Sequence, residues 1–175
     1  VGYMLLGVLS HDSVAGAQAV WLYMLTYLIM NTGAFAVVIH LQGKGEGERI
    51  EDFRGLGHRQ PFVAFAMMVF LLSLAGIPPL LGFFGKFYLF KLAIEQGYTT
   101  LTVIALLTSA ISAYYYLGVV NQMYLKEAGE EVHEALGGVL KPIVAGACAL
   151  VLVGILPLVD PLVVRVSIAE MRRTS

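Results

Sequence analysis

The stretch Gly76-Ile77-Pro78-Pro79-Leu80-Leu81-Gly82-Phe83-Phe84-Gly85-Lys86 sits inside a long apolar run and decides the fold. Two adjacent prolines remove two backbone donors and clash with the turn before them. Gly76, Gly82 and Gly85 flank them. The run from Pro61 to Gln96 would measure about 54 Å as one straight helix at 1.5 Å per residue. That exceeds a hydrocarbon layer of about 30 Å even with ordinary tilt. The sequence therefore predicts a helix broken over 76–85, with one half over 62–75 and another over 83–95. Discontinuous helices in lipid are tolerated only where the freed backbone is buried in protein or lines a water-filled cavity, and in transporters they mark ion pathways. A second reading makes 61–77 and 80–96 two minimal spans joined by a Pro-Pro turn.

The rest of the chain supports a membrane setting. Of its 175 residues 58% are hydrophobic and 13% charged, about half the usual charged share of roughly 25%; mean hydropathy is +0.79. The 11 basic and 12 acidic residues all fall outside the windows 1–11, 13–43, 60–85, 96–125 and 142–159. A soluble core helix shows a polar face every turn, and these windows do not. Backbone groups in lipid must pair internally, which leaves helices or closed barrels. The runs 70–72 and 147–155 lack the period-two alternation of a barrel strand. A net charge of −1 gives no footprint for nucleic acid. A single cysteine, Cys148, excludes an intrachain disulfide framework and a multi-cysteine metal site.

The expected fold is all-α: a polytopic transmembrane helix bundle over 1–164 with a polar tail over 165–175. The expected spans are 1–10 (partial), 17–41, 61–96 with its break, 98–125 and 142–160. The first run, 1–9, covers only about 14 Å and is too short to cross. It is read as the remainder of a longer helix, and the sequence as a C-terminal fragment. Mixed-charge connectors occupy 42–60 and 126–141, and 48–57 can form a short helical turn. The connectors carry Lys44, Arg49, Arg54, Arg59, Lys126 and Lys141, against Arg165, Arg172 and Arg173 on the other side. Positive charge thus places the connectors in the cytoplasm, and the second half of the broken helix leads outward.

Lys86 is the charge that needs explaining, since it lies one residue past the break and far from either connector. An ammonium near the bilayer centre costs between about 3 and 10 kcal/mol and normally faces a bundle interior or a hydrated cavity. Desolvation penalises the charged form of an ammonium, and lysine, unlike arginine, can release its proton. Lys86 is therefore the candidate proton relay; the competing role is an anchor that snorkels to the interface. Lys91 and Glu95 are four apart and can pair, either as an interfacial ion pair or as a funnel toward Lys86. Asn31 can hold a relay water or glue two helices. His40 ends its helix, where a histidine is simply hydrated or handles protons near neutral pH. Tyr115 belongs to the run Tyr114-Tyr115-Tyr116, which lines polar space or packs. Thr108, Ser109 and Ser112 permit close helix packing. His11, His58 and His133 show no metal-ligand spacing, and no GxGxxG, P-loop, HExxH, CxxC or GxSxG motif occurs. No cofactor, metal or nucleophile site is read.

The run Leu72-Ser73-Leu74-Ala75-Gly76-Ile77-Pro78-Pro79, followed by Gly82-Phe83-Phe84-Gly85-Lys86-Phe87, resembles the broken-helix motif of the antiporter-like membrane subunits of respiratory complex I. Asp52-Phe53-Arg54-Gly55-Leu56, Asn31-Thr32-Gly33-Ala34-Phe35 and the segment 112–116 fit the same family. The similarity covers roughly 1–160, and within the family the chain looks most like the N-type subunits of bacterial NADH–quinone oxidoreductase. The resemblance implies a fourteen-helix parent built on two inverted five-helix repeats, with this chain covering the tenth to fourteenth helices. It puts the family's central lysine at Lys86, passing protons outward with coupling to quinone reduction elsewhere. It further implies other membrane subunits of complex I and the lipid bilayer as partners, no nucleic acid, and a multi-pass location in the bacterial inner membrane. NADH, FMN, iron–sulfur clusters and a quinone would serve the parent complex, with no redox site in this chain. Other members carry Glu at the lysine position. Two other functions stay open: a subunit of a cation/proton antiporter or membrane-bound hydrogenase, and a non-conducting structural scaffold.

Overall fold

The computed structural model describes residues 2–11, 13–43, 49–127 and 139–153. All of their regular structure is helical: α1 (Met4–Val8), α2 (Ser13–Gln42), a 3-10 turn (Ile50–Phe53), α3 (Leu56–Arg59), α4 (Pro61–Ala75), α5 (Leu81–Glu95), α6 (Thr99–Leu125) and α7 (Leu140–Val153). The end of the last expected span, the tail 165–175, and most of the second connector with His133 lie outside the described residues. Two helices, α2 from Val14 and α6, are long and apolar enough to cross a membrane. The helices α4 and α7 are apolar but shorter.

Local chemistry sets the element ends. Pro61 opens α4 at its first turn, where a missing N–H costs nothing. Gly76 closes it with φ +88°. The Ile77 N–H reaches the Leu72 carbonyl and the Gly76 N–H the Ser73 carbonyl, the paired bonds of a Schellman end. Gly97, at φ +86°, closes α5 in the same way through Tyr98 to Ala93 and Gly97 to Ile94. The chain turns over Ile77, Pro78 and Pro79, all exposed, and helix resumes at Leu81. The non-helical stretch is therefore 76–80, shorter than the 76–85 interval expected. Gly82 and Gly85 belong to the first turns of α5. Their lack of a side chain serves close approach rather than unwinding.

One helix, α2, runs antiparallel along both α4 and α5. Near its C-terminal end, His40 hydrogen-bonds Gln60, which immediately precedes α4. Further back, Gly33 lies against the Phe70 ring, and Met30 meets both Ser73 of α4 and Gly82 of α5. Thr26 and Tyr23 then lie against Gly85. The core divides at the level of the non-helical stretch. One cluster centres on Phe70, Met67, Val37, Leu41, Met123 and Val144; the other on Leu89, Phe90, Ala19 and Tyr23, with Tyr27 packed against both. The connector docks by burying Phe53 and Leu56, and the Gly55 N–H donates to the Gln122 carbonyl at the end of α6. Outward faces carry Trp21, Leu25, Leu28 and Phe35 on α2 and Ile104, Leu107 and Ile111 on α6. Such surfaces cost little against lipid or neighbouring helices.

A Cβ on Gly82 would overlap the Ser73 carbonyl, whereas one on Gly146 meets nothing. Gly82→Ala should destabilise the folded protein by about 1–3 kcal/mol, read as a drop in thermal midpoint of the purified full-length protein in detergent. Gly146→Ala, inside α7, should leave that midpoint level or raise it slightly.

Candidate functional site

The end of α4 presents carbonyls that no further turn of helix takes up. Lys86, on the second turn of α5, takes two of them. Its Nζ donates to the Leu74 oxygen at 2.9 Å and the Ala75 oxygen at 3.1 Å. A third bond runs to Ser109 Oγ on α6 at 2.8 Å. The three donors of the ammonium are thereby matched to three acceptors. None of the acceptors is charged, and among the described residues no carboxylate pairs with Lys86. The charge is offset by the negative end of the α4 macrodipole and by the face of Tyr3, whose ring centre lies 5.6 Å from Nζ. Lys86 is 8% exposed. Its amine is turned inward onto these acceptors rather than into an apolar void.

The other side of the break is held by the reverse contact. Ser73 Oγ, on the last turn of α4, accepts the Gly82 N–H of α5 at 2.9 Å and donates to Met30 Sδ at 2.8 Å. Ser73 is fully buried. Each half-helix thus supplies the group that the other half's end lacks. Gly76 leaves the room: a Cβ there would stand 3.1 Å from Lys86 Cδ.

Lys86 also borders a cavity of about 310 Å³, lined chiefly by Tyr3, Tyr23, Tyr27, Ser112 and Tyr116. That is ample room for water. The tyrosines brace one another, with Tyr3 edge-on to Tyr23 and Tyr23 stacked on Tyr27. Tyr3 Oη lies 3.4 Å from Thr108 Oγ1. A buried ammonium, a space lined by tyrosines and a serine, and freed carbonyls thus meet at one place.

The other sequence candidates are not gathered here. Asn31 turns back on its own helix, donating to the Tyr27 carbonyl at 2.9 Å. His40 Nε2 and Gln60 Oε1 form a buried pair, 3.0 Å apart, at the far end of α4. Tyr115 is exposed, because its neighbour Tyr116 takes the inward position and successive helix residues point about 100° apart. Lys91 and Glu95 form a 3.8 Å ion pair at the partly exposed end of α5. Four residues that matter, Tyr3, Tyr23, Ser73 and Ser109, are absent from the candidates read in the sequence. A signal existed for some of them. Tyr23, Tyr27 and Met30 share one face of α2, and Ser109, Ser112 and Tyr116 share one face of α6.

Removing the Ser73 hydroxyl strands an amide in an apolar interior. Ser73→Ala should cost about 1–3 kcal/mol, seen as a lowered thermal midpoint. Asn31→Ala removes only a local bond and should stay within about 0.5 kcal/mol of the unaltered protein.

Comparison with known proteins places this geometry in context. Residues 1–112 match the family described as NADH:quinone oxidoreductase/Mrp antiporter, TM. NADH-quinone oxidoreductase subunit N of Trichlorobacter lovleyi is 44% identical over 159 residues, covering 89% of this chain and 32% of that protein. Subunit N of Rhodospirillum rubrum is 42% identical over 152 residues, covering 86% of this chain and 31% of that protein. A chain of respiratory complex I from Thermus thermophilus, solved with bound aureothin, superposes with a TM-score of 0.73 at 37% identity, covering 91% of this chain and 36% of that one. The chain thus spans about a third of the length of the curated relatives it matches.

Proposed function

This chain belongs to the NADH:quinone oxidoreductase/Mrp antiporter membrane family, and on that premise we propose that it carries protons through a half-channel centred on Lys86. In this reading it is part of a subunit N of NADH–quinone oxidoreductase, multi-pass in the bacterial inner membrane among the other membrane subunits of complex I. The single observation that carries the reading is the setting of Lys86. Its ammonium is buried at a break between helices, satisfied by uncharged acceptors, and open to a hydroxyl-lined cavity. Here α4, the 76–80 link and α5 act as one discontinuous span. The antiparallel order in which α2 meets α4 and then α5 supports that, whereas a hairpin of two spans would put both halves at the same level of α2. The span belongs to one of the parent's two inverted repeats.

The chemistry is proton storage and release. The cavity admits water to the amine, the α4 carbonyls hold the ammonium, and release passes its proton to water on the way to the outer side. Lysine suits the task because it can give the proton up, which arginine does not. NADH, FMN, iron–sulfur clusters and the quinone belong to other subunits of the parent complex, and their chemistry drives the transfer from a distance.

The test uses the intact complex with the full-length chain. Lys86→Met and Lys86→Arg should each lower proton translocation by about a hundredfold or more, the usual least contribution of a positioned proton-transfer group, with assembly retained. A structural scaffold would keep translocation in both variants, and that result would overturn the proposal.

A further inference from the structure

We propose that Ser109 is a positioning residue for Lys86, the one partner of that amine able to serve it both charged and neutral. The inference rests on the reading of Lys86 as a proton carrier and extends it to a residue on a different helix.

An ammonium has three N–H donors and no lone pair. Here those donors meet the Leu74 and Ala75 carbonyls and Ser109 Oγ. Loss of the proton leaves two N–H groups and one lone pair. The two carbonyls can only accept, and they are fixed at the end of α4. They can keep the two remaining N–H donors but offer nothing to the lone pair. A serine hydroxyl both accepts and donates. Rotation about its Cβ–Oγ bond turns Ser109 from acceptor to donor without moving a helix. The neutral amine then keeps three hydrogen bonds, as the charged one does. Without that hydroxyl, each state leaves a polar site unmet in a largely apolar bundle, which is costly.

No neighbour takes this part. Tyr3 offers Lys86 its ring face, while its hydroxyl lies toward Thr108. Thr108 donates to the Ala105 carbonyl, and Ser112 donates to the Thr108 carbonyl. Among the described residues the proton of Ser109 is committed to no other acceptor. Ser109 also lies on the α6 face that carries Ser112 and Tyr116 to the cavity, so the switching bond stands beside the water-accessible space.

Threonine and valine are close in volume and differ in the hydroxyl, which separates positioning from packing. The experiment measures proton translocation by the intact complex carrying Ser109→Thr, Ser109→Val, Ser109→Ala or Lys86→Ala in the full-length chain. Ser109→Thr should stay within about twofold of the unaltered complex, and Ser109→Val and Ser109→Ala should fall at least about fivefold, the effect of one lost hydrogen bond to a charged, partly buried group. Equal translocation by the Thr, Val and Ala variants overturns the role of Ser109. So does a Thr variant as impaired as Val, which marks a steric role. If Lys86→Ala loses translocation in those cases, the carrier reading survives. If Lys86→Ala translocates normally, the carrier reading fails and this inference with it.

Discussion

A helix cut in two exposes carbonyls at one end and amides at the other, and hydrocarbon supplies no water to satisfy them. The facing ends of α4 and α5 meet that constraint by completing each other. Lys86, from α5, donates to the last carbonyls of α4. Ser73, from α4, accepts an amide of the first turn of α5. Everything else of interest depends on this exchange. It fixes where the ammonium sits, it uses a positive charge at the negative end of a helix dipole, and it leaves one donor of that ammonium to reach across to α6.

The break is held in register by what packs beside it. Because α2 is continuous, it acts as a template along which α4 and α5 are placed in turn. The glycines make the approach close enough. Gly33 admits Phe70, Gly82 admits the Ser73 carbonyl, and Gly85 admits Thr26. Two hydrophobic clusters, bridged by Tyr27, pack along α4 and α5. The polar cavity opens between them. The bundle is thus closely packed around the ammonium on one side and hollow on the other.

Much of this was legible in the residues, for physical reasons. Long windows free of charge leave few alternatives to membrane helices, and a Pro-Pro pair flanked by glycines interrupts a helix in any setting. A lysine beside such a break has no inexpensive explanation, so Lys86 stood out. The extent of the non-helical stretch did not, because glycine signals both unwinding and close packing. Only the position of the Ser73 carbonyl decides for Gly82. Asn31, His40 and Tyr115 are suggested by residue type and place along their helices, which do not specify direction. Each turns to a local or distant partner, or outward. Ser109 reads as a packing residue and Ser73 only as one letter of the motif, because their roles arise from helices meeting, which sequence spacing alone does not encode.

The most direct test is an experimental map of the full-length chain in its membrane complex, at a resolution that shows ordered water. The account predicts Lys86 Nζ within hydrogen-bond distance of the Leu74 and Ala75 carbonyls, with waters filling the tyrosine-lined cavity beside it. An amine extended to the headgroup region, or one enclosed by side chains with no water in contact, would contradict it.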